Sequence, residues 1–210
     1  MDWQEICASP LLRDLPFKIE TDALGRIVMS PASNRHGLYQ SRIAVLLSRL
    51  LPGGESQTEC SVATADGVKV AGVVWRSDAF AARHGDATPY PLAPEIVVEI
   101  VLPSNTVAEL LRKKELYFAR GAQEFWLCAG DGALRFFNEF GYDRLGLNCR
   151  LRNDVCQMSG AGPAGTGFYI VKGAGLPRID IIGNNKRVAW LTFISQAANA
   201  LSNPGAINVR

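Results

Sequence analysis

The chain has 210 residues, of which 48% are hydrophobic and 20% charged, and its formal net charge is +2. This balance is typical of one ordinary globular domain, and no apolar run reaches the ~20 residues that a membrane-spanning helix needs. The net charge is too small to indicate a nucleic-acid partner by itself, although basic residues gathered in one groove are compatible with one.

The five cysteines are scattered, odd in number and without C-x-x-C spacing. They favour reduced thiols over a disulfide framework or a zinc site. The first residues also lack the basic start and apolar core of a signal peptide. We therefore expect a cytoplasmic protein.

In the first part of the chain, residues 17–21 and 26–30 predict two strands joined by a turn. A helix follows, with Ser33 or Asn34 as its cap and leucines at helical spacing up to Leu51. Residues 59–64 and 68–75 predict a hairpin around Asp66-Gly67, and 77–84 predict a short helix. Hairpins thus surround the first long helix.

The second part begins with residues 96–101, an almost wholly apolar run that is typical of a central strand covered on both faces. Residues 106–119 predict a helix that ends at Gly121. Residues 124–129 and 133–137 predict a second hairpin. This mixed order predicts an α/β (α+β) fold with one mixed β-sheet core flanked by helices.

One acid stands out because Glu99 lies inside the apolar run 96–101. A buried carboxylate needs a partner or a metal, and the following helix carries Lys113. An acid at the end of a strand beside a helical lysine indicates a divalent-metal phosphodiester site. The alternative is structural: Glu99 caps an edge strand and pairs with Lys113 or Arg112.

The order and spacing of several short blocks between residues 17 and 137 resemble the Uma2 family, nucleases of the PD-(D/E)XK restriction-endonuclease-like fold. The blocks that carry the resemblance are FKIE at 17–20, GRIVMSP at 25–31, HG at 36–37, GVKVAGVVW at 67–75, APEIVVEI at 93–100, PSNT at 103–106, YFA at 117–119 and EFW at 124–126.

The resemblance implies a DNA endonuclease that hydrolyses phosphodiester bonds with Mg²⁺ or Mn²⁺, and a homodimer that cuts both strands. It implies Glu99 as a metal ligand and catalytic acid, with Glu20 approaching from one side. It also implies Lys113 as the catalytic cation, because Val101 occupies the place where the standard motif has its lysine. Without the resemblance, Glu20 reads as a surface strand acid and Lys113 as part of a solvated helix face.

The chain departs from the family at Gly72, which stands where the first catalytic aspartate is usual. Glycine offers no ligand, and neither Asp66 nor Asp78 is placed to replace it. Losing one carboxylate cripples a Mg²⁺ site, because Mg²⁺ uses few protein ligands. Two hypotheses follow: an endonuclease with an impaired site, or a catalytically inactive nuclease-fold protein that binds nucleic acid or a protein partner. We expect Gly72 to face the same cleft as Glu99.

The composition also changes along the chain. Residues 1–140 are expected to form the Uma2-like domain, and residues 141–210 a glycine-rich extension of unknown role. The extension contains the string G-A-G-P-A-G at 160–165. Because no buried strand precedes the string and no helix follows it, a plain loop is favoured over a dinucleotide site.

Overall fold

The structure is a computed structural model that describes residues 2–12, 15–31, 33–138, 148–152, 155–159, 181–183 and 186–188. The G-A-G-P-A-G string lies outside these residues. No helix in the described ranges is both long enough and apolar enough to cross a membrane.

Up to β7 the order of helices and strands is the one that the sequence predicted, with one further helix at the start of the chain. The helices are α1 (Trp3–Ala8), α2 (Asn34–Leu50), α3 (Asp78–His84) and α4 (Val107–Ala119). The strands are β1 (Phe17–Thr21), β2 (Ile27–Pro31), β3 (Gly54–Thr64), β4 (Gly67–Ser77), β5 (Ile96–Ile100), β6 (Glu124–Cys128), β7 (Ala133–Asn138), β8 (Asn148–Arg152), β9 (Val155–Ser159), β10 (Ile181–Gly183) and β11 (Lys186–Val188).

Strands β3 to β9 form one sheet in chain order, and β1 and β2 form a separate antiparallel hairpin. Strands β5 and β6 are parallel, while every other neighbouring pair in the large sheet is antiparallel. A parallel pair needs a crossover, and α4 supplies it between β5 and β6. The predicted mixed sheet with flanking helices is confirmed.

All five residues of β5 are buried, because both faces of the strand are covered. On one face Val98 and Ile100 pack in a cluster with Ile43 of α2. On the other face Val97 packs in a second cluster with Tyr117 of α4. The apolar run therefore forms a central strand, and an edge position for Glu99 is excluded.

Local capping signals set where the helices begin. The side chains of Ser33 and Ser77 accept hydrogen bonds from the first turns of α2 and α3. Thr106 and Glu109 form a reciprocal capping box at the start of α4. The helix ends before Gly121, whose φ of +95° lies in the region that favours glycine. These signals fix where α4 begins and ends along the chain.

Strands β8 and β9 lie in the range expected to be a separate extension. Strand β8 pairs with β7 at Ala133 and Leu134, and β9 pairs with β8. The large sheet thus continues past residue 140. Strands β10 and β11 pair with each other as a two-stranded antiparallel sheet.

Candidate active site

The site forms where β4 and β5 separate. The two strands pair only from Val73 to Trp75 of β4. Before Val73, side chains of β1 accept hydrogen bonds from β4 instead: Glu20 Oε1 accepts from Val70 N at 2.8 Å, and Thr21 Oγ1 accepts from Val68 N at 2.8 Å. Strand β1 therefore lies beside the first half of β4, which brings Glu20 close to β5.

Two acids and a lysine meet at this point. Lys113 Nζ donates to Glu20 Oε1 at 2.7 Å and to Glu99 Oε1 at 3.3 Å. The Tyr117 hydroxyl, one turn further along α4, donates to Glu99 Oε1 at 3.0 Å. The structure thus brings together Glu20, Glu99 and Lys113, the three side chains that the sequence singled out.

A second lysine completes the cluster, and sequence reasoning missed it. Lys18 Nζ lies 3.2 Å from Glu99 Oε2 and 3.6 Å from Glu20 Oε1. Alternation along a strand was the available signal, because residues two apart point to the same face. Once Glu20 was a candidate, Lys18 belonged on the same side of β1.

The other basic side chains of α4 lie elsewhere. Lys114 Nζ sits over the Phe137 ring, 5.2 Å from its centroid. Arg112 pairs with Glu115 on the exposed side of the helix at 3.7 Å. Lys114 is therefore a matched control for Lys113, because the two lysines are adjacent in sequence but touch different groups.

Burial and the neighbouring charges have opposite effects on the pKa of the Glu99 carboxyl. Burial raises the pKa of its carboxyl, but the ammonium groups of Lys113 and Lys18 and the Tyr117 hydroxyl outweigh this effect and lower it below its ordinary value. Burial also lowers the pKa of Lys113, but the carboxylates of Glu99 and Glu20 outweigh burial and raise that pKa above its ordinary value. Burial and the Glu99 charge both raise the pKa of Tyr117. At neutral pH Glu99 and Lys113 are therefore charged, and Tyr117 is a neutral donor.

Gly72 does not face this cluster, which corrects the expectation that it shares a cleft with Glu99. A Cβ at position 72 would lie 2.9 Å from Ile100 Cδ1 and 3.7 Å from Gln40 Nε2. Ile100 belongs to the cluster that packs on α2, whereas Glu99 contacts α4. The φ of Gly72 is not positive, so other residues can adopt this backbone conformation, and the direction of a Cβ at position 72 does not depend on a conformation reserved for glycine.

The β3–β4 pair is irregular at the level of Gly72. Thr58 pairs with Val73 and Cys60 with Ala71, but the intervening Glu59 has a φ of +51°. Val73 packs in the cluster with α2, yet Ala71, two residues before it, packs in the cluster with α4. Residues two apart on a regular strand would share a face. The face pattern of β4 is therefore displaced at Gly72.

These side chains do not fit a Mg²⁺ site as they are arranged. In the described part of the chain, no group of three or more His, Cys, Asp or Glu residues could hold a metal ion. Glu20 Oε1 and both oxygens of Glu99 already accept from lysine, tyrosine or backbone donors. Mg²⁺ binds oxygen ligands in near-ideal octahedral geometry at about 2.0–2.1 Å. Here the nitrogens of Lys113 and Lys18 lie next to the carboxylate oxygens where such an ion would bind.

We expect Tyr117→Phe to lower the free energy of unfolding by about 2 kcal/mol, because hydrogen bonds to charged groups contribute more than neutral ones. The ring stays packed and only the donor to Glu99 is lost. Tyr39→Phe is the control, since the Tyr39 hydroxyl donates to the Gly130 carbonyl oxygen at 3.4 Å and not to a carboxylate. Denaturant unfolding of the full chain measures both. Equal losses in the two variants would contradict a special role for the Tyr117–Glu99 bond.

Comparison with known proteins relates the chain to one family. The model of the Uma2 family, described as "Putative restriction endonuclease", matches residues 3–139. No curated protein matches the chain. Among solved structures, the chain is similar to "a putative nuclease belonging to DUF820" from Anabaena variabilis ATCC 29413, with a TM-score of 0.51 and 16% identity over 65% of this chain and 82% of that chain. At this identity the likeness shows a shared fold.

Proposed function

Because the chain belongs to the Uma2 family, we propose that it acts on the phosphodiester backbone of DNA as an endonuclease whose site cuts slowly. The observation that carries the proposal is the Lys113 ammonium held between Glu20 and Glu99, at 2.7 and 3.3 Å. Family and fold support a nuclease, and this cluster is the candidate place for its chemistry.

Each group has a role that its position supports. Phosphodiester hydrolysis builds negative charge on the phosphate, and a fixed ammonium such as that of Lys113 stabilises that charge. Lys113 is also the most exposed of the four ionised side chains, at 15%. A phosphate arriving from solvent would therefore meet Lys113 first. Glu99 and Glu20 orient the ammonium, and a carboxylate freed from it can accept a proton from the attacking water.

The same contacts explain why cleavage should be slow. The two carboxylates and two ammonium groups balance each other, so little net charge is left to act on a substrate. The ammonium groups of Lys113 and Lys18 outweigh the effect of burial and keep the pKa of Glu99 below its ordinary value, which makes Glu99 a weak base. The Mg²⁺ or Mn²⁺ dependence that the family resemblance implies has no fitting ligand set among the described residues.

Plasmid nicking by the full chain, with Mg²⁺ and separately with Mn²⁺, tests the proposal. We expect weak nicking that Glu99→Gln and Lys113→Met each reduce by about 100-fold or more, the size expected for loss of a group that stabilises the transition state. Lys114→Met should retain it, since Lys114 contacts Phe137 instead. Nicking that persists in Lys113→Met would place the chemistry elsewhere. Robust Mg²⁺-dependent cutting abolished by Glu99→Gln would show that the missing aspartate is not needed.

A second candidate is a nuclease-fold protein that binds DNA without cutting it, and the neutral, fully paired cluster favours it. Its signature is DNA binding that Lys113→Met weakens while no variant nicks plasmid. Binding that falls steeply with salt would identify phosphate contacts. A homodimer, with one site for each DNA strand, belongs to the cutting proposal, and sedimentation with and without DNA distinguishes it from a monomer.

A further inference from the structure

Lys18 is buried where an ion between the two acids would be expected. Its side chain is 7% exposed, and its nitrogen lies 3.2 Å from Glu99 Oε2 and 3.6 Å from Glu20 Oε1. Lys113 already contacts the other oxygen of Glu99. Lys18 is therefore the additional cation that takes the second side of Glu99.

A divalent metal and Lys18 compete for the same oxygens. Cations on a shared carboxylate repel each other strongly at short range in a buried site, where the effective dielectric constant is far below that of water. A metal that binds Glu99 Oε2 must therefore displace the Lys18 ammonium. A metal at this cluster without that displacement would also add two positive charges to a group that is already neutral.

A cleft and a further acid, Glu59, lie next to Lys18. A cleft of about 370 Å³ is lined by Lys18, Glu59, Phe17 and Val70 among others. Burial raises the pKa of Glu59, but the neighbouring His36 and the Lys18 ammonium outweigh it and lower it. The Lys18 side chain thus has room to turn, and Glu59 is a carboxylate towards which it can turn.

We infer that Lys18 is a built-in counter-cation that holds Glu20 and Glu99 in place of a divalent metal and keeps such a metal out until it turns towards Glu59. The inference concerns the site of the proposed function and rests on that proposal only for the site's link to catalysis. Lys18 is a positioning residue, since it acts through the two carboxylates.

Mn²⁺ titration of the full chain, with free Mn²⁺ followed by electron paramagnetic resonance, tests this inference. We expect weak binding by the original chain. Lys18→Met should bind one Mn²⁺ about tenfold more tightly or better, because a buried positive charge next to the acids is removed. Adding Glu99→Gln to Lys18→Met should cancel the gain. Lys18→Gln, which keeps a donor for Glu99 Oε2, replaces the methionine variant if that variant does not fold.

Lys69→Met is the matched control. Lys69 is another buried lysine beside β1, but it donates to Thr21 O at 2.8 Å and lies 3.6 Å from Asp66, away from Glu20 and Glu99. The Lys69→Met substitution should leave Mn²⁺ binding unchanged. A folded Lys18 variant with no tighter binding, or an equal gain in Lys69→Met, would overturn the inference.

The titration needs no cleavage, so the two proposals fail separately. If no form nicks DNA but Lys18→Met binds Mn²⁺ tightly, the endonuclease proposal fails and the role of Lys18 stands. If the original chain nicks DNA and Lys18→Met binds Mn²⁺ no better, the role of Lys18 fails alone.

Discussion

Glu99→Gln should lower the free energy of unfolding by about 3–5 kcal/mol at neutral pH, the range seen when one partner of a buried ion pair is removed. The substitution keeps the volume and removes the charge that Lys18 and Lys113 share, at 3.2 and 3.3 Å. Both ammonium groups then keep Glu20 as their ion-pair partner among the described residues. Urea unfolding followed by tryptophan fluorescence measures the difference.

The loss of unfolding free energy in Glu99→Gln should depend on pH in a defined direction. The pKa of Glu99 is lowered in the folded chain against burial, mainly by Lys113 and Lys18. Its stabilising contribution is therefore complete above the unfolded-state pKa of about 4.3, and it disappears as the pH falls through the folded value. For Lys113, whose folded pKa is raised, the contribution is complete below about 10.4 and is lost only at higher pH. The difference between the two proteins should stay constant from about pH 6 to 9 and shrink below about pH 4.

Glu115→Gln is the control for this experiment. Glu115 lies on the same helix as Lys113, but its side chain is 64% exposed and it pairs with Arg112 at 3.7 Å. Its removal should leave stability unchanged within experimental error, because exposed pairs contribute little. A Glu99→Gln protein as stable as the original would mean that the buried cluster is not the stabilising unit described above.

Gly72→Asp should destabilise the fold by about 3 kcal/mol or more and leave Mn²⁺ affinity nearly unchanged, because the new carboxylate is buried away from Glu99. Position 72 is buried, and its Cβ would point at Ile100 Cδ1 and Gln40 Nε2. Gln40 Nε2 already donates to the Gly72 carbonyl at 3.1 Å, so the added group also disturbs that bond. Restoring the family residue therefore should not restore a metal site on this backbone.

Gly72→Ala separates the steric cost of a Cβ at position 72 from the cost of burying a carboxylate there. Its Cβ would be close to the end of the flexible Ile100 side chain, at 2.9 Å, and would lie 3.4 Å from the Val98 carbonyl oxygen, so the cost should be about 1 kcal/mol. Denaturant unfolding and Mn²⁺ titration of both variants complete the comparison. Tight Mn²⁺ binding by Gly72→Asp that disappears with Glu99→Gln would show that β4 changes its face when an aspartate is present.

Much of the fold followed from local rules. The predicted helices 77–84 and 106–119 begin within one residue of α3 and α4, because the side chains of Ser77 and Thr106 satisfy backbone N–H groups that the first turn leaves free. The apolar run around Glu99 predicted a central strand, since only a strand covered on both faces buries every residue. Glu99 and Lys113 were candidates from the same stretch of sequence, with their roles supplied by the family resemblance.

Tertiary structure decided three further features. The place of Lys18 depends on how β1 lies beside β4, a contact between segments about 50 residues apart that no local pattern specifies. The direction of Gly72 goes with an irregular stretch of the β3–β4 pair, where the neighbouring strand has a positive φ at Glu59 and the face pattern of β4 is displaced. The continuation of the sheet into β8 depends on pairing with β7. Alternation and capping are properties of a few adjacent residues, so the sequence determines them directly, whereas the face and neighbours of a strand are set by the strands that pack against it.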